Sequence, residues 1–376
     1  MTDALLIAEG DRPPAGGELL LHADLHNHTR LSDGAGRAEE AFASMRAAGL
    51  DVAAITDHAY GPSEPDKTID DEGWIRLGKL ADAADEPGAF VAVRGFEWSS
   101  TSLGHMNVWG GDRWVEPVPP DTAAIPAFYE WLAAGDELIG FNHPGREPGR
   151  FGLFRYDPRL ARRLVALEMF NRDEDYLFEG VTARAHAGSA AGQLSPLVAC
   201  LDAGWRVGLA GVTDEHREGW GFHEGLGRTG LWAPSRSRDG VRAAMLGRRM
   251  FATRERGLRV DARLDGTAMG GLSGYRRRIG EIELDFAAPD EWRGHPLRLQ
   301  VLQRGEPVPA VVSEHDFRVS AGPLRLRTPI EEGDWVVLRI TDPARPADPR
   351  AEPLPGYRSA GLAVAYLSPF FISPRR

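Results

Sequence analysis

Two hydrophobic patterns divide the chain near residue 255. In the first part, short apolar runs alternate with stretches of helical spacing, such as Ala41, Phe42, Met45 and Ala48, which end before Gly49. This pattern predicts helices at 38–48, 122–134 and 190–203 and strands at 137–141, 165–169 and 206–210. Alternating helices and strands are typical of an α/β fold with a mostly parallel barrel or open sheet.

Beyond residue 255 the apolar residues recur at every second position. Leu258, Val260, Ala262 and Leu264 show this period, and it returns at 282–286 and 297–301 with Gly, Pro and Asp in between. Such a pattern predicts an antiparallel β-sandwich. We therefore divide the chain into an N-terminal extension (1–19), a barrel (20–255) and a β-rich domain (256–376). The last is expected to cover one side of the barrel or to assist oligomerisation.

Residues able to bind metal are concentrated where the predicted strands end. His26 and His28 lie two residues apart, so a strand would direct both rings to one face. Further candidates follow in chain order: Asp33, His58, Glu97, His105, His143, Asp214 and His216. Each alone could be a structural residue. Together they indicate a site at the carboxyl ends of the strands, where barrel and α/β enzymes place their chemistry.

The residue types indicate which ions would bind. Imidazole and carboxylate ligands without thiolate suit Zn, Mn or Fe, and carboxylates can bridge two ions that share one water. A polynuclear site makes hydroxide available near neutral pH and neutralises charge on both reacting oxygens. Cys200, the single cysteine, lies in an apolar helix-like stretch and is expected to be a buried structural thiol.

These motifs resemble the PHP (polymerase and histidinol phosphatase) superfamily of metallohydrolases. The opening motif covers Asp24 to Thr29, with Ser32-Asp-Gly34 close behind, and the later motifs follow in the family's order over residues 20 to 255. The resemblance implies a distorted seven-stranded (β/α)7 barrel followed by a smaller antiparallel β-sandwich-like domain. The segment 168–171 and the tail at 366–369 are similar to the CehA/McbA branch, which includes carbamate hydrolases.

The resemblance also implies three metal sites. The first would use His26, His28, Glu97 and Asp214; the second would share Glu97 and add His105 and His143; the third would use Asp33, His58 and His216. Many relatives have histidine where this chain has Asp33, so the third site could prefer a harder ion.

Several residues near these motifs are candidates for catalysis or substrate binding. An arginine there could hold an anionic substrate bidentately, although it could equally be an exposed side chain that pairs with nearby carboxylates. Glu168 and Asn171 could orient substrate or a histidine ligand. The predicted catalytic residues are Glu97, Asp214, His216 and Arg228; the predicted substrate-binding residues are Arg146, Glu168, Asn171, Arg217 and His223.

Three hypotheses about function remain open at this point. The first is a hydrolase in which a metal-bridging hydroxide attacks a phosphomonoester or phosphodiester, and superfamily breadth favours it. The second is hydrolysis of a carbamate, ester or amide, as the CehA/McbA resemblance allows. The third is an inactive, metal-stabilised binding scaffold, which we rank lower because every ligand position is filled.

Composition limits the partners and the location. The net charge of −11 over 376 residues argues against nucleic acid, because binding a phosphate backbone requires a basic face. The start of the chain lacks the basic residues and long apolar run of a signal peptide, and no stretch is long enough to span a membrane. We therefore expect a cytoplasmic enzyme without membrane contact that acts on a small, anionic molecule; a homo-oligomer is not excluded.

Overall fold

The computed structural model describes residues 17–146, 154–179, 181, 194–221, 225–275, 278–287, 294–319 and 323–374. The strands are β1 (Leu19–Asp24), β2 (Val52–Ile55), β3 (His58–Ala59), β4 (Val91–Ser100), β5 (Gly104–Trp109), β6 (Leu138–Phe141), β7 (Leu164–Asn171), β8 (Glu174–Asp175), β9 (Gly208–Val212), β10 (Arg228–Ala233), β11 (Met250–Thr253), β12 (Arg259–Leu264), β13 (Thr267–Ala268), β14 (Leu272–Gly274), β15 (Ile279–Ala287), β16 (Pro296–Gln303), β17 (Ala310–Arg318), β18 (Leu324–Pro329), β19 (Trp335–Asp342) and β20 (Leu362–Ser373). The helices are α1 (Ala38–Ala47), α2 (Asp71–Ala84), α3 (Asp121–Ala133), α4 (Pro196–Asp202) and α5 (Arg238–Leu246).

The elements predicted from periodicity are largely present. The helices expected at 38–48 and 122–134 are confirmed as α1 and α3, and the three expected strands appear as β6, β7 and β9. The helix expected at 190–203 appears as α4 from Pro196, while residues 190–193 lie outside the described part of the chain. The positions that set the helical period of α1 are the ones it buries, including Phe42 and Met45.

Seven strands follow one another as hydrogen-bonded neighbours in the order β1-β2-β4-β5-β6-β7-β9. The ring closes beyond the carboxyl ends of β1 and β9. There the Asp214 amide donates to the carbonyl of His26 at 3.0 Å, and the His28 amide donates to the carbonyl of Glu215 at 2.9 Å. Backbone bonds therefore hold these metal-site segments against each other.

The resemblance implies a distorted (β/α)7 barrel, and the ring does depart from regular β/α alternation at β5. Strand β5 runs antiparallel to both β4 and β6, because a short turn at 101–103 joins β4 directly to β5 without an intervening helix. The α/β class is confirmed, while the exact (β/α)7 barrel stays a prediction. The reversal has a consequence for the site, since it brings His105 at the start of β5 beside Glu97 on β4.

The β-rich tail is joined to the ring through strand pairing. β10 pairs with β1, β11 with β10 and β20 with β11, so β20, β19, β16 and β17 extend the same sheet. A separate antiparallel sheet, β13-β12-β15-β18, shares a core with this extension that includes Leu264, Ile282, Leu299 and Leu338. The expected sandwich is thus present, but one of its sheets continues into the ring. The domain boundary near residue 255 stays a prediction.

Among the described residues, no helix is both long enough and apolar enough to cross a membrane.

Candidate metal centre

Nine side chains converge at the end of the ring where β1 and β9 are bridged. Their ligand atoms form three overlapping groups, within each of which the atoms lie no more than 4.8 Å apart. The groups are His28, Asp33, His58 and His216; His26, His28 and Asp214; and His58, Glu97 and His105. The ninth side chain, His143, places its Nε2 3.1 Å from Glu97 Oε1. The structure therefore brings together all nine residues predicted as ligands.

Glu97 lies between the histidines of this cluster. Its Oε1 is 3.2 Å from His105 Nδ1 and 3.1 Å from His143 Nε2, while Oε2 is 2.6 Å from His58 Nδ1. Burial alone would raise the pKa of this carboxyl, but the charges of His26, His105 and His58 hold it well below the usual range. A fully buried, ionised carboxylate with both oxygens facing imidazoles has the geometry of a bridging ligand.

Partners on the outer side of two rings determine which ring nitrogen faces the centre. His26 Nδ1 lies 2.7 Å from Glu168 Oε1, and His216 Nδ1 lies 2.9 Å from the carbonyl of Asp214. When Nδ1 carries the donated proton, Nε2 is left with its lone pair. These contacts direct the Nε2 lone pairs of His26 and His216 inward. His58 differs, because its Nδ1 contacts both Ser99 Oγ at 2.7 Å and Glu97 Oε2 at 2.6 Å.

The inward nitrogens and oxygens are close together and poorly satisfied. His26 Nε2 is 3.0 Å from His28 Nε2, and His58 Nε2 is 3.4 Å from His216 Nε2. Within the described residues, Glu97 Oε2 and Asp214 Oδ1 are buried without a hydrogen bond of good geometry. Buried polar atoms are rarely left unpaired. Nitrogen lone pairs that face each other beside unpaired carboxylate oxygens fit divalent cations lying between them.

The electrostatics of the centre favour bound positive charge. Burial lowers the pKa of the His26 imidazole, yet Asp214, Glu97 and Glu168 together raise it well above the ordinary value. Burial, followed by the neighbouring His58, lowers the pKa of His28 well below its ordinary value. Carboxylates thus surround one imidazole while another is kept neutral, as a metal ligand must be.

Two predicted ligands lie in strained backbone. His143 has φ of 24° and Asp214 has φ of 50°, in the left-handed region that residues other than glycine rarely adopt. Such positions cost about 1–3 kcal/mol each and are frequent at functional sites. The His143 amide donates to Glu168 Oε2 at 2.6 Å, so a carboxylate at the centre holds this segment in place.

A buried carboxylate beside the centre was not singled out from the sequence. Asp57 accepts hydrogen bonds from the Thr29 amide at 2.7 Å, from Thr29 Oγ1 at 2.8 Å and from Ser32 Oγ at 2.7 Å. Burial raises its pKa to about 6 despite these bonds. By fixing Thr29 and Ser32, Asp57 positions the turn that carries Asp33. The position of Asp57 directly before His58 in the sequence is the feature that could have identified it.

Asn142 is a second supporting residue without a predicted role. Its Nδ2 donates to Glu97 Oε1 at 2.6 Å, and its Oδ1 accepts from the Asn107 amide at 3.0 Å. The bond to Asn107 on β5 determines which end of the amide points at Glu97. Asn142, which directly follows β6, therefore orients the central carboxylate of β4 from across β5.

Three of the predicted substrate residues meet at one edge of the centre. Arg146 Nη1 lies 3.4 Å from Asp214 Oδ2, and its Nη2 donates to Asn171 Oδ1 at 3.2 Å. Asn171 Nδ2 in turn donates to Glu168 Oε2 at 2.9 Å. Glu168 thus contacts a histidine ligand, one of the two roles considered for it, while Arg146 lies partly exposed at the rim.

The other predicted substrate residues are placed differently. Arg228 is buried, and its Nη2 donates to the carbonyl of Gly221 at 2.7 Å. Burial, together with the positive charge of Arg228, lowers the pKa of His22 to about 4. This contact is with a main-chain carbonyl, and the catalytic role of Arg228 stays a prediction. Arg217 is exposed, and His223 lies outside the described residues.

Comparisons with known proteins give distant structural likenesses. No family model and no curated protein matches the chain. It is similar to a two-domain protein containing a predicted PHP-like metal-dependent phosphoesterase from Bacteroides vulgatus, with 15% identity, a TM-score of 0.47 and coverage of 97% of this chain and 98% of that one. It is also similar to an amidohydrolase from Chromobacterium violaceum with bound sulfate and no metal, with 14% identity, a TM-score of 0.31 and coverage of 52% and 87%.

The CehA/McbA branch stays a prediction. Neither likeness is close enough to assign an activity to this chain.

Proposed function

We propose that this chain is a metal-dependent hydrolase that cleaves phosphoesters. The observation that supports it is the convergence of imidazole lone pairs on the unpaired oxygens of Glu97 and Asp214. A buried cluster of this composition is costly without compensating charge. Two to three ions of Mn, Zn or Fe would be held by the nine side chains that converge there. Such ions would make water a nucleophile near neutral pH and would neutralise charge on the attacked group.

The chain's own residues would prepare the site in two ways. Glu168 accepts a hydrogen bond from His26 Nδ1, and Ser99 Oγ contacts His58 Nδ1, so both rings are held in a fixed orientation. Asn142 holds the Glu97 carboxylate by its Oε1. Positions fixed before substrate arrives reduce the reorganisation needed during reaction.

Arg146 is the side chain on which the choice of phosphoesters rests. Its guanidinium lies between Asp214 and Asn171 at the rim, with its side chain 39% exposed. A planar fork in this position could hold two non-bridging phosphate oxygens bidentately. A neutral carbamate or ester would offer it no comparable partner. This reasoning transfers the phosphate-binding role from Arg228 to Arg146.

Substrate profiling of the purified, Mn-loaded protein tests the proposal, with metal content measured in parallel. We expect the highest kcat/KM among phosphomonoesters or phosphodiesters, compared with aryl carbamates and aryl esters. A clear preference for carbamates or esters would overturn the substrate class and support the second hypothesis. Tight metal binding with no turnover of any class would support the scaffold.

Substitution of Arg146 adds a residue-level test. Arg146→Ala should lose roughly 1.5–3 kcal/mol of transition-state stabilisation with phosphoesters, through loss of a charge-assisted pair, and much less with aryl esters. Arg159→Ala is the matched control, because Arg159 is an exposed arginine paired with Asp157 and Glu130. Equal losses with both substrate classes would remove Arg146 from the substrate site.

A further inference from the structure

A second charged cavity lies away from the metal centre. It has a volume of about 610 Å³, and its lining includes Arg162, Arg206 and Arg248 together with Tyr156 and Gly204. Its described lining contains no aspartate or glutamate. Three arginines therefore share one cavity without a carboxylate in its wall, on a chain whose net charge is −11.

Arg248 forms the floor of this cavity. It is buried, and its guanidinium donates to main-chain carbonyls, including those of Arg206 at 2.7 Å, Arg162 at 2.9 Å and Ala161 at 3.0 Å. Burial lowers its pKa to about 10, and the charges of Arg206 and Arg162 add to this effect. Carbonyl dipoles satisfy its N–H groups, but they bring no negative charge to balance the cation.

The other two arginines are exposed at the cavity. In the parts of the chain that the structure describes, neither Arg162 nor Arg206 forms an ion pair with a carboxylate. Arg249, the next residue after Arg248, shows the contrast: its Nη2 lies 2.7 Å from Glu18 and its Nη1 lies 2.8 Å from Asp261. The arginines that line the cavity thus lack carboxylate partners among the described residues, whereas the adjacent Arg249 has two.

A neighbouring cavity of about 570 Å³ provides an internal comparison. It also contains arginines, but acids in its wall balance them. Arg238 pairs with Asp82 at 2.6 Å, and Arg242 lies 3.3 Å from Asp136. Both cavities are open and similar in volume, and they differ chiefly in the presence of carboxylates. A free anion should therefore bind more tightly in the arginine cavity than in the acid-balanced one.

The position of the arginine cavity separates it from the metal centre. Ala161 and Arg162 precede β7, and Arg206 precedes β9. The centre lies beyond the carboxyl ends of the same strands. Glu168, which contacts His26, lies four residues after the start of β7, and at about 3.3 Å per residue this separates the two by roughly 13 Å or more.

We propose that this cavity binds the phosphate group of a small molecule. The guanidinium groups of Arg162 and Arg206 would contact the phosphate oxygens in charge-assisted pairs, and Arg248 would contribute positive potential from below. Tyr156 is 42% exposed and stands on Trp205 with ring centroids 4.9 Å apart, so its outer face is available to a flat ring on the same ligand. The shared chemistry is phosphate, either free or carried by such a ring.

Calorimetric titration of the metal-loaded protein tests this proposal. The probes are inorganic phosphate and phenylphosphonate, which hydrolysis does not consume. The wild-type protein should show a binding event that the double variant Arg162→Ala/Arg206→Ala weakens by about tenfold or more, because charge-assisted contacts are lost. Arg242→Ala, from the acid-balanced cavity, should leave this event within about twofold, since its charge already has a local partner.

The two probes distinguish the sources of phosphate. Tighter binding of phenylphosphonate indicates a ring-bearing ligand on Tyr156, and equal binding indicates free phosphate; both support the site. An unchanged titration in the double variant would overturn the proposal. Anion binding at the metal centre and turnover there persist in the double variant, so failure of this site is distinguishable from failure of the proposed hydrolase function.

Discussion

Two clusters of buried polar side chains lie within the same continuous sheet system, and they differ in how completely they are satisfied. At the metal centre, Glu97 Oε2 and Asp214 Oδ1 are buried without a good hydrogen bond in the described structure. In the second cluster, Arg339 Nε donates to Tyr366 Oη at 2.9 Å, and Tyr366 Oη donates to Asp175 at 2.9 Å. Each group named in the second cluster has a protein partner.

This difference distinguishes a cluster that binds a ligand, the metal centre, from one that supports the fold, the Arg339 cluster. A closed network of cation, phenol and carboxylate compensates its own charge, so it can join β19, β20 and β8 without a ligand. A network left with lone pairs facing one another is incomplete without a cation. Burial alone does not distinguish the two, because Glu97 and Arg339 are both almost fully buried.

Arg339→Met should produce the largest effect, and that effect should be on stability. Removing one partner of a buried charged network leaves Asp175 uncompensated, which typically costs about 3–5 kcal/mol. Urea denaturation should show this loss, while metal content and kcat of the folded fraction stay close to wild type. The double variant Arg339→Met/Asp175→Asn should recover part of the lost stability. A loss below about 1 kcal/mol in Arg339→Met would show that the network is not a support.

Glu97→Gln should do the opposite of Arg339→Met: it should reduce turnover and leave stability nearly unchanged. The amide fills nearly the same volume but is a poor bridge between cations, so turnover should fall on the order of 100-fold or more. Kinetics and urea denaturation on metal-replete protein would measure both effects. The free energy of unfolding should change little, or rise in the absence of metal, because a charge that needs compensation is gone.

The matched control for this substitution is Glu137→Gln. Glu137 is equally inaccessible, but it pairs with Arg113 at 2.7 Å in an ion pair away from the centre. Its loss should affect stability and leave kcat/KM unchanged. If Glu97→Gln kept near-normal activity with metal bound, the bridging role would belong to another carboxylate.

The contrast between the two clusters also explains which parts could be predicted from the sequence. The ligands could be predicted because they follow apolar strands. The expected strand through His26 and His28 was wrong, because β1 ends at Asp24 and only Asn27 between them forms a bridge, to Glu215. Pairing between distant strands is not encoded in local periodicity, so the continuity of β11 with β20 was not foreseen. The environment of Arg228 could not be read from the sequence for a related reason: it depends on β10 pairing antiparallel to β1.

Glu168→Gln should have a smaller effect than loss of the bridge. Glu168 contacts the His26 ring from outside, and residues that orient a metal ligand in this way typically contribute 10–100-fold to metal affinity. Competition with a chelator should show weaker metal retention, and excess metal should restore most of the turnover. Failure of excess metal to restore turnover would indicate that Glu168 contacts substrate directly.

Tyr366→Phe should have the smallest effect, and it tests whether the two clusters communicate. The substitution removes the hydroxyl between Arg339 and Asp175, and one buried hydrogen bond is worth about 1 kcal/mol. Asp175 is flanked by Glu174 and Tyr176, whose side chains lie within 3.4 Å and 3.2 Å of Arg146. Loosening this segment should therefore raise KM for a phosphoester about two- to fivefold, with kcat nearly unchanged, because Arg146 loses part of its support. The same variant should leave KM for an aryl ester unaltered. A loss of stability with no change in either KM would show that the satisfied cluster supports the fold without influencing the site.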